Sequence, residues 1–226
     1  MRKTIVIPAI VLLAPILLQA QEIVYVSDLG QTTTSSNLTG SDSWLAASFE
    51  TGTNAGGYSL DSIQLAMANA SGNPSGFTFM LYSANGSISP GHEITPGTSL
   101  TTLNGSANPS TAGIYTYTPA SSFDLSSSTP YFIVLTAGTT VANGAYEWSN
   151  TGVFPISYNE NGGWRAMIGG AIVDNYQSSN GSSWKPLGAA PEYAIAATPI
   201  PEPSPLLLLL GSGVLFYARK ELYWKL

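Results

Sequence analysis

Covalent catalysis has little support among the residues of this 226-residue chain, although serine and threonine are abundant. The chain has no cysteine, and its single histidine, His92, lies in the loop sequence Ser89-Pro90-Gly91-His92-Glu93. A Ser-His-Asp site needs an ordered histidine between a serine and an acid, whereas a histidine beside Pro-Gly is typical of an exposed turn. We therefore expect His92 to be an ordinary loop residue and the protein not to be an enzyme.

Acidic residues could support two other kinds of site. Glu147 and Glu160 would have to lie about 5 to 10 Å apart to hydrolyse a glycoside, yet each stands alone among aromatic or turn residues. A hydrolase with an unrecognised site is thus the weakest alternative.

One histidine and no cysteine exclude a zinc cage. The sequence identifies no metal ligands and no cofactor, although it leaves open a calcium ion held by loop oxygens, for example near Asp174 and Asn175.

Aromatic side chains form the best candidate binding surface. Five of them occur in the last third of the domain, several beside glycine-rich turns: Tyr146, Trp148, Trp164, Tyr176 and Trp184. Exposed flat rings can stack on sugars, which would make the domain a carbohydrate-binding module. The alternative, which we favour, is that these rings fill the core.

The N-terminus has the three-part layout of a secretory signal peptide. The basic stretch Met1-Arg2-Lys3 precedes an almost wholly apolar run over residues 5–18, and Ala20 provides a small residue before Gln21. Two prolines in the run would break a buried helix, and the run is short for a membrane span. We predict cleavage between Ala20 and Gln21.

The C-terminus combines a proline motif, an apolar run and a basic pair. Pro201-Glu202-Pro203 comes first, and Arg219 and Lys220 end the run. The membrane-anchoring side chains between them are Leu206, Leu207, Leu208, Leu209, Leu210, Val214, Leu215 and Phe216. Residues 205–218 would span about 21 Å as a helix, less than the ~30 Å hydrocarbon core. This order predicts a short transmembrane helix whose transfer stops at the basic pair, in agreement with the positive-inside rule.

Those three parts, in that order at the extreme C-terminus, resemble the PEP-CTERM sorting domain over residues 199–226. The resemblance implies that an exosortase-type membrane protease cuts at or near Pro-Glu-Pro and releases or transfers the protein at the cell surface. It also implies association with extracellular polysaccharide. Residues 221–226 depart from the pattern, because the end is longer than usual and carries an acid and two aromatics. The alternative is a plain tail anchor after a proline-rich linker.

Between these ends the chain carries very little charge. Residues 21–200 contain two basic residues, Arg165 and Lys185, against eleven carboxylates, which gives that segment a net charge near −9. A negative field repels phosphate backbones, so nucleic acid is excluded as a partner. Apolar residues make up 44% and aromatics 11% of the whole chain, so its composition is not that of a disordered protein. About 180 residues suffice for one core without disulfides.

The apolar pattern of residues 21–198 has period two, which predicts β-strands. Residues 77–82 and 114–118 alternate between faces, and residues 131–135 form a continuous apolar run typical of a central strand packed on both faces. Residues 193–197 are typical of a last strand ahead of the linker. Leu60 falls out of phase with Ile63, and a β-bulge near Asp61-Ser62 would return it to the core. Asn-Gly and Pro-Gly turns separate the strands, which predicts a β-sandwich or jelly roll with almost no α-helix.

The order of motifs in this domain resembles the choice-of-anchor R domain family. The matching stretches include Trp44-Leu45-Ala46-Ala47-Ser48-Phe49, Tyr58-Ser59-Leu60-Asp61-Ser62-Ile63, Leu81-Tyr82-Ser83, Gly113-Ile114-Tyr115-Thr116-Tyr117 and Tyr146-Glu147-Trp148. Such domains occur with varied surface anchors, and the family assigns no catalytic residues to this chain.

Together these features predict three segments: a signal peptide over residues 1–20, a β-sandwich domain over 21–198 and a sorting tail over 199–226. The protein is then an exported, non-enzymatic component of the cell surface or extracellular matrix. Its expected partners are signal peptidase, the general export machinery, the exosortase-type protease and extracellular polysaccharide.

Overall fold

A computed structural model of the protein describes residues 22–86, 94–151, 159–166, 175–188 and 190–202. The strands in chain order are β1 (Ile23–Ser27), β2 (Ser35–Thr39), β3 (Trp44–Glu50), β4 (Tyr58–Met67), β5 (Ser71–Gly72), β6 (Thr78–Asn85), β7 (Thr95–Gly105), β8 (Gly113–Pro119), β9 (Asp124–Leu125), β10 (Pro130–Thr136), β11 (Gly144–Thr151), β12 (Asn159–Glu160), β13 (Asn175–Ser178), β14 (Lys185–Pro186), β15 (Ala190–Pro191) and β16 (Tyr193–Pro199). One turn of 3-10 helix, Val141–Asn143, precedes β11, and these ranges contain no α-helix. The all-β class predicted from the sequence is confirmed.

All strand pairs are antiparallel, and hydrogen bonds join them into one curled sheet. The main path runs β12-β1-β16-β4-β8-β7-β6-β10-β3-β13-β14, while β11 pairs with β2, β4, β5 and β15. Within the described ranges, no helix is long and apolar enough to cross a bilayer. The predicted signal peptide and the predicted anchor lie outside those ranges.

One apolar cluster fills the concave inner face of the curled sheet. It takes side chains from nearly every long strand, among them Val26, Phe49, Ile63, Leu81 and Ile133, each fully buried. Because alternate residues of each strand point inward, the period-two pattern of the sequence becomes a single packed interior. This interior holds the domain together without any disulfide bond.

The strand β10 is buried on both faces. Tyr131, Ile133 and Leu135 join the inner cluster, whereas Phe132 and Val134 join a second cluster on the outer face. The outer cluster also contains Ala46, Met80, Tyr82, Ile94 and Tyr176. The neighbours of β10 are β3 and β6, so it is also central in the sheet. The predicted strand over residues 131–135 and its full packing are therefore confirmed.

The bulge predicted in β4 is present. Ser62 pairs with Ala196 and Leu60 pairs with Ala197, so Asp61 is the extra residue between two consecutive residues of β16. Leu60 consequently joins Ile63 in the inner cluster. A mismatch in the phase of apolar residues was enough to locate this irregularity, because a one-residue slip reverses the face of every later side chain.

We predict that the strand leucines differ in their contribution to stability according to their burial. Leu81 has no exposed surface and Leu100 is 40% exposed. Leu81→Ala should lower the free energy of unfolding by about 2 to 5 kcal/mol because it leaves a cavity in the inner cluster. Leu100→Ala, the matched control, should change it by less than about 0.5 kcal/mol. Urea unfolding of the purified chain measures both, and equal effects would contradict the assigned faces of the sheet.

Candidate functional site

Most of the predicted processing and anchoring residues lie outside the described ranges. These are Ala20, Gln21, Pro203, Leu206, Leu207, Leu208, Leu209, Leu210, Val214, Leu215, Phe216, Arg219 and Lys220, together with the loop residues His92 and Asp174. Pro201 and Glu202 are described, and both are exposed. The structure therefore shows the first two residues of the Pro-Glu-Pro motif where the chain leaves the last strand.

The segment that leaves β16 is hydrogen-bonded to a turn between β3 and β4. The Ile200 amide donates to the Gly57 carbonyl at 3.1 Å. The Asn54 side-chain amide donates to the Ile200 carbonyl at 3.0 Å, and the Ala55 amide donates to Glu202 Oε1 at 3.3 Å. We call residues 54–57 the exit turn. This turn is hydrogen-bonded to the amide and the carbonyl of Ile200 and to one carboxylate oxygen of Glu202.

The composition of the exit turn follows from this close contact. Gly57 has a φ of +75°, a left-handed conformation that favours glycine. A Cβ atom on Gly56 would overlap the Ile200 carbonyl oxygen. The sequence marks Asn54-Ala55-Gly56-Gly57 as a turn, but it gives no sign that the partner of this turn is the C-terminal motif.

We predict that a methyl group on Gly56 displaces the exit segment. Gly56→Ala should speed hydrogen exchange at the Ile200 amide and lower the free energy of unfolding by about 1 to 3 kcal/mol, because the new Cβ overlaps the Ile200 carbonyl. The control is Gly188→Ala, since no atom lies within 4 Å of a Cβ at that position. Hydrogen exchange with mass spectrometry measures the effect. Unchanged protection of Ile200 in the Gly56 variant would disprove the contact.

Four of the five candidate glycan-binding aromatics are core residues. Tyr146, Trp148, Trp164 and Tyr176 are each at most 2% exposed. Trp164 stacks on Tyr25 with 4.7 Å between ring centroids, and Trp148 donates its indole N–H to the Glu192 carbonyl at 3.0 Å. A sugar cannot stack on rings that have no accessible face. The glycan-binding interpretation of these four residues is therefore corrected, and the core alternative describes them.

Trp184 is the exception among the five aromatics. It is half-buried against the outer cluster, and it borders an open groove of about 440 Å³. The groove is otherwise lined mainly by small and polar residues, Ser83, Ala84, Asn85, Pro96, Gly97, Thr98, Gly181 and Ser182. One aromatic ring beside hydroxyl and amide groups is a suitable surface for a neutral polar ligand.

The two carboxylates considered for glycoside hydrolysis have separate structural partners. Glu147 of β11 accepts a hydrogen bond from Ser36 Oγ at 2.6 Å. Glu160 of β12 accepts one from the Ala166 amide at 2.8 Å. Each carboxylate fastens its own strand to a neighbouring segment, and the structure gives no sign that they act as a pair.

A different pair of carboxylates is buried at the junction of the first and last strands. Asp28 follows β1 and is 1% exposed, and Glu192 precedes β16 and is 2% exposed. The Tyr193 amide donates to Asp28 Oδ1 at 2.7 Å, and Thr33 Oγ1 donates to Glu192 Oε2 at 3.0 Å. Asp28 Oδ2 and Glu192 Oε1 have no hydrogen-bond partner among the described residues.

The electrostatic surroundings of this pair disfavour ionisation. Burial raises the pKa of Asp28 to about 8, the negative charge of Glu192 adds to the rise, and the hydrogen bond from Tyr193 opposes it. Burial also raises the pKa of Glu192. Sequence reasoning missed this pair, because Asp28 and its partner Tyr193 are 165 residues apart and no local spacing joins them.

No family model, curated protein or solved structure matches this chain.

Proposed function

We propose that this protein is an exported, non-enzymatic β-domain that is sorted to the cell surface through Pro201-Glu202-Pro203. An exosortase-type membrane protease would cut at or near that motif, and the domain would then join an extracellular polysaccharide matrix. In this proposal a signal helix precedes a sandwich-like domain, and a short transmembrane helix follows it. The observation that best supports the proposal is the exposure of Pro201 and Glu202 directly after the last strand.

The order of the strands makes cleavage at this point compatible with a stable product. β16 ends at Pro199, and it already pairs with β1 on one side and β4 on the other. A cut at or beyond Pro201 would remove no strand. At the other end, β1 begins at Ile23, so removal of residues 1–20 by signal peptidase would also leave the sheet intact.

The chemistry of the motif suits recognition at the membrane edge. Pro201 and Pro203 lack amide donors and favour an extended backbone, and Glu202 adds one negative charge between them. A rigid extended segment outside a short helix is a suitable substrate for a site-specific membrane protease. Arg219 and Lys220 would keep the end of the helix on the cytoplasmic side.

We predict that the motif, and not the apolar run, determines maturation. Replacement of Pro201-Glu202-Pro203 by three alanines should leave the anchor inserted but block the cut, so that the uncut form accumulates in the membrane fraction. A matched control replaces Pro205 and Ser204 by alanine, which alters the same linker but spares the motif. Mass spectrometry of the mature protein from its native host identifies the new C-terminus.

The rival interpretation gives a different result in the same experiment. If the tail is a plain anchor, residues 206–226 stay attached in the wild type, and the triple-alanine protein has the same mass apart from the substitutions. A third variant that ends at Ser204 should release soluble domain without any processing step. The proposal fails if the wild type keeps its tail in the native host.

A second candidate function is carbohydrate binding through the groove beside Trp184. It is favoured by the half-buried ring of Trp184 above a polar groove. This candidate site needs one aromatic ring and the small polar residues around it, whereas the sequence-based interpretation used five aromatic side chains. It is compatible with the sorting proposal, since a surface-displayed domain would meet extracellular polysaccharide.

We predict that Trp184→Ala weakens binding of the native host's extracellular polysaccharide about tenfold, which corresponds to about 1.4 kcal/mol and is within the range for one lost ring contact. Leu100→Ala serves as a control, because it removes an exposed apolar side chain on β7 outside the groove lining. Affinity electrophoresis in gels that contain the polysaccharide measures the retardation of each protein. Equal retardation of the Trp184 variant and the wild type would exclude this groove.

A further inference from the structure

Asp28 and Glu192 place two acidic side chains in the interior, and no side chain in the described ranges neutralises them. The described basic residues are Arg165 and Lys185, and both are exposed. The negative charge of Glu192 and hydrogen-bond donors act on Asp28, and the Thr33 hydroxyl acts on Glu192, with no positive charge among these groups. Two buried carboxylates that act on each other are costly unless a cation or protons neutralise them.

The free atoms of the pair are hard oxygen ligands. Tyr193 and Thr33 each occupy one carboxylate oxygen, so Asp28 Oδ2 and Glu192 Oε1 are left over. Both residues are more than nine-tenths buried. An unpartnered buried carboxylate oxygen is rare in folded proteins, and the binding of an ion or a water molecule is one of the standard reasons for it.

The loop after β1 covers these oxygens. Thr33, whose hydroxyl donates to Glu192, belongs to an exposed stretch over residues 30–34. The carboxylates therefore lie directly under a surface loop and not in the centre of the sheet. A cation could approach from this side and keep water molecules among its ligands.

We propose that Asp28 and Glu192 bind a divalent hard cation, calcium in particular, at the junction of β1 and β16. The two leftover carboxylate oxygens would be its charged ligands, and water or main-chain carbonyls of the surface loop would complete the shell. Calcium accepts six to eight oxygen ligands in irregular geometry, whereas magnesium requires a near-ideal octahedron. No group of three or more His, Cys, Asp or Glu side chains that could hold a metal occurs in the described ranges. The site thus belongs to the weak class, with a Kd of about 10⁻⁴ to 10⁻³ M.

The position of the site predicts its effect on the fold. The Asp28 amide donates to the Tyr193 carbonyl at 3.2 Å, and the Tyr193 amide donates back to the Asp28 carboxylate. A cation on this carboxylate would cross-link the end of the first strand to the start of the last one. Calcium should therefore stabilise the pairing of the two strands that carry the ends of the domain.

The first experiment measures thermal unfolding of the full chain, purified in detergent, in EDTA and in CaCl₂. Calcium at about ten times its Kd should raise the Tm of the wild type by about 3 °C. Asp28→Asn and Glu192→Gln should each abolish the rise. Glu147→Gln should keep it, because that carboxylate is bonded to Ser36 and to neither member of the pair.

The second experiment detects the ion directly and does not depend on a change in stability. Trp148 donates its indole N–H to the Glu192 carbonyl, so it can act as an antenna for a lanthanide at the site. Terbium should give tryptophan-sensitised emission with the wild type, calcium should displace it, and Glu192→Gln should reduce the emission to background.

The alternative is that the pair holds protons and no metal. In that case Asp28→Asn and Glu192→Gln would raise the Tm in EDTA. Calcium up to about 10 mM, ten times the upper end of the expected Kd range, would leave the Tm of the wild type and of both variants unchanged. That result, or terbium emission that survives Glu192→Gln, would overturn the proposal. None of these outcomes depends on the sorting tail, so failure here leaves the proposed function unaffected.

Discussion

The last strand of the domain is paired on both sides, with the first strand and with the fourth. β16 bonds to β4 over seven residue pairs and to β1 over four. This single placement fixes three other features. It buries Ile195 and Ala197 in the inner cluster, it sets Asp28 against Tyr193 at one end of the strand, and it brings Ile200 onto the exit turn at the other end. A shift of β16 by one residue would lose all three.

Sequence reasoning succeeded where the relevant information is local. The apolar run over residues 131–135 reports burial on both faces, because no residue in it needs to face water. The phase error at Leu60 locates a bulge, because period two allows no other way to keep that leucine inside. In both cases the physical cause lies within a few residues of its effect.

It failed where partners are distant in sequence. Nothing near Asp28 shows that its carboxylate will meet the amide of Tyr193, and nothing near Asn54 shows that its amide will bond Ile200. The aromatics show a different limit. Trp164 lies beside glycines, as an exposed ring often does, yet the turn folds inward and the ring stacks between Tyr25 and Phe49. Composition identifies large rings but not the direction in which a turn points them.

The low charge of the chain and the double pairing of β16 together have a mechanical consequence. Some loops are closed by neutral groups, as where Thr51 Oγ1 donates to the Ser126 carbonyl at 2.6 Å, and the strength of such contacts depends little on salt. Any tension applied through the C-terminal tail acts along β16. Because the hydrogen bonds on both sides of this strand run across the strand axis, a pull along that axis loads them together in shear. A domain held at a surface by its C-terminus would then resist flow and abrasion through the hydrogen bonds on both sides of β16. The hydrogen bonds between the exit turn and Ile200 would be the first to break.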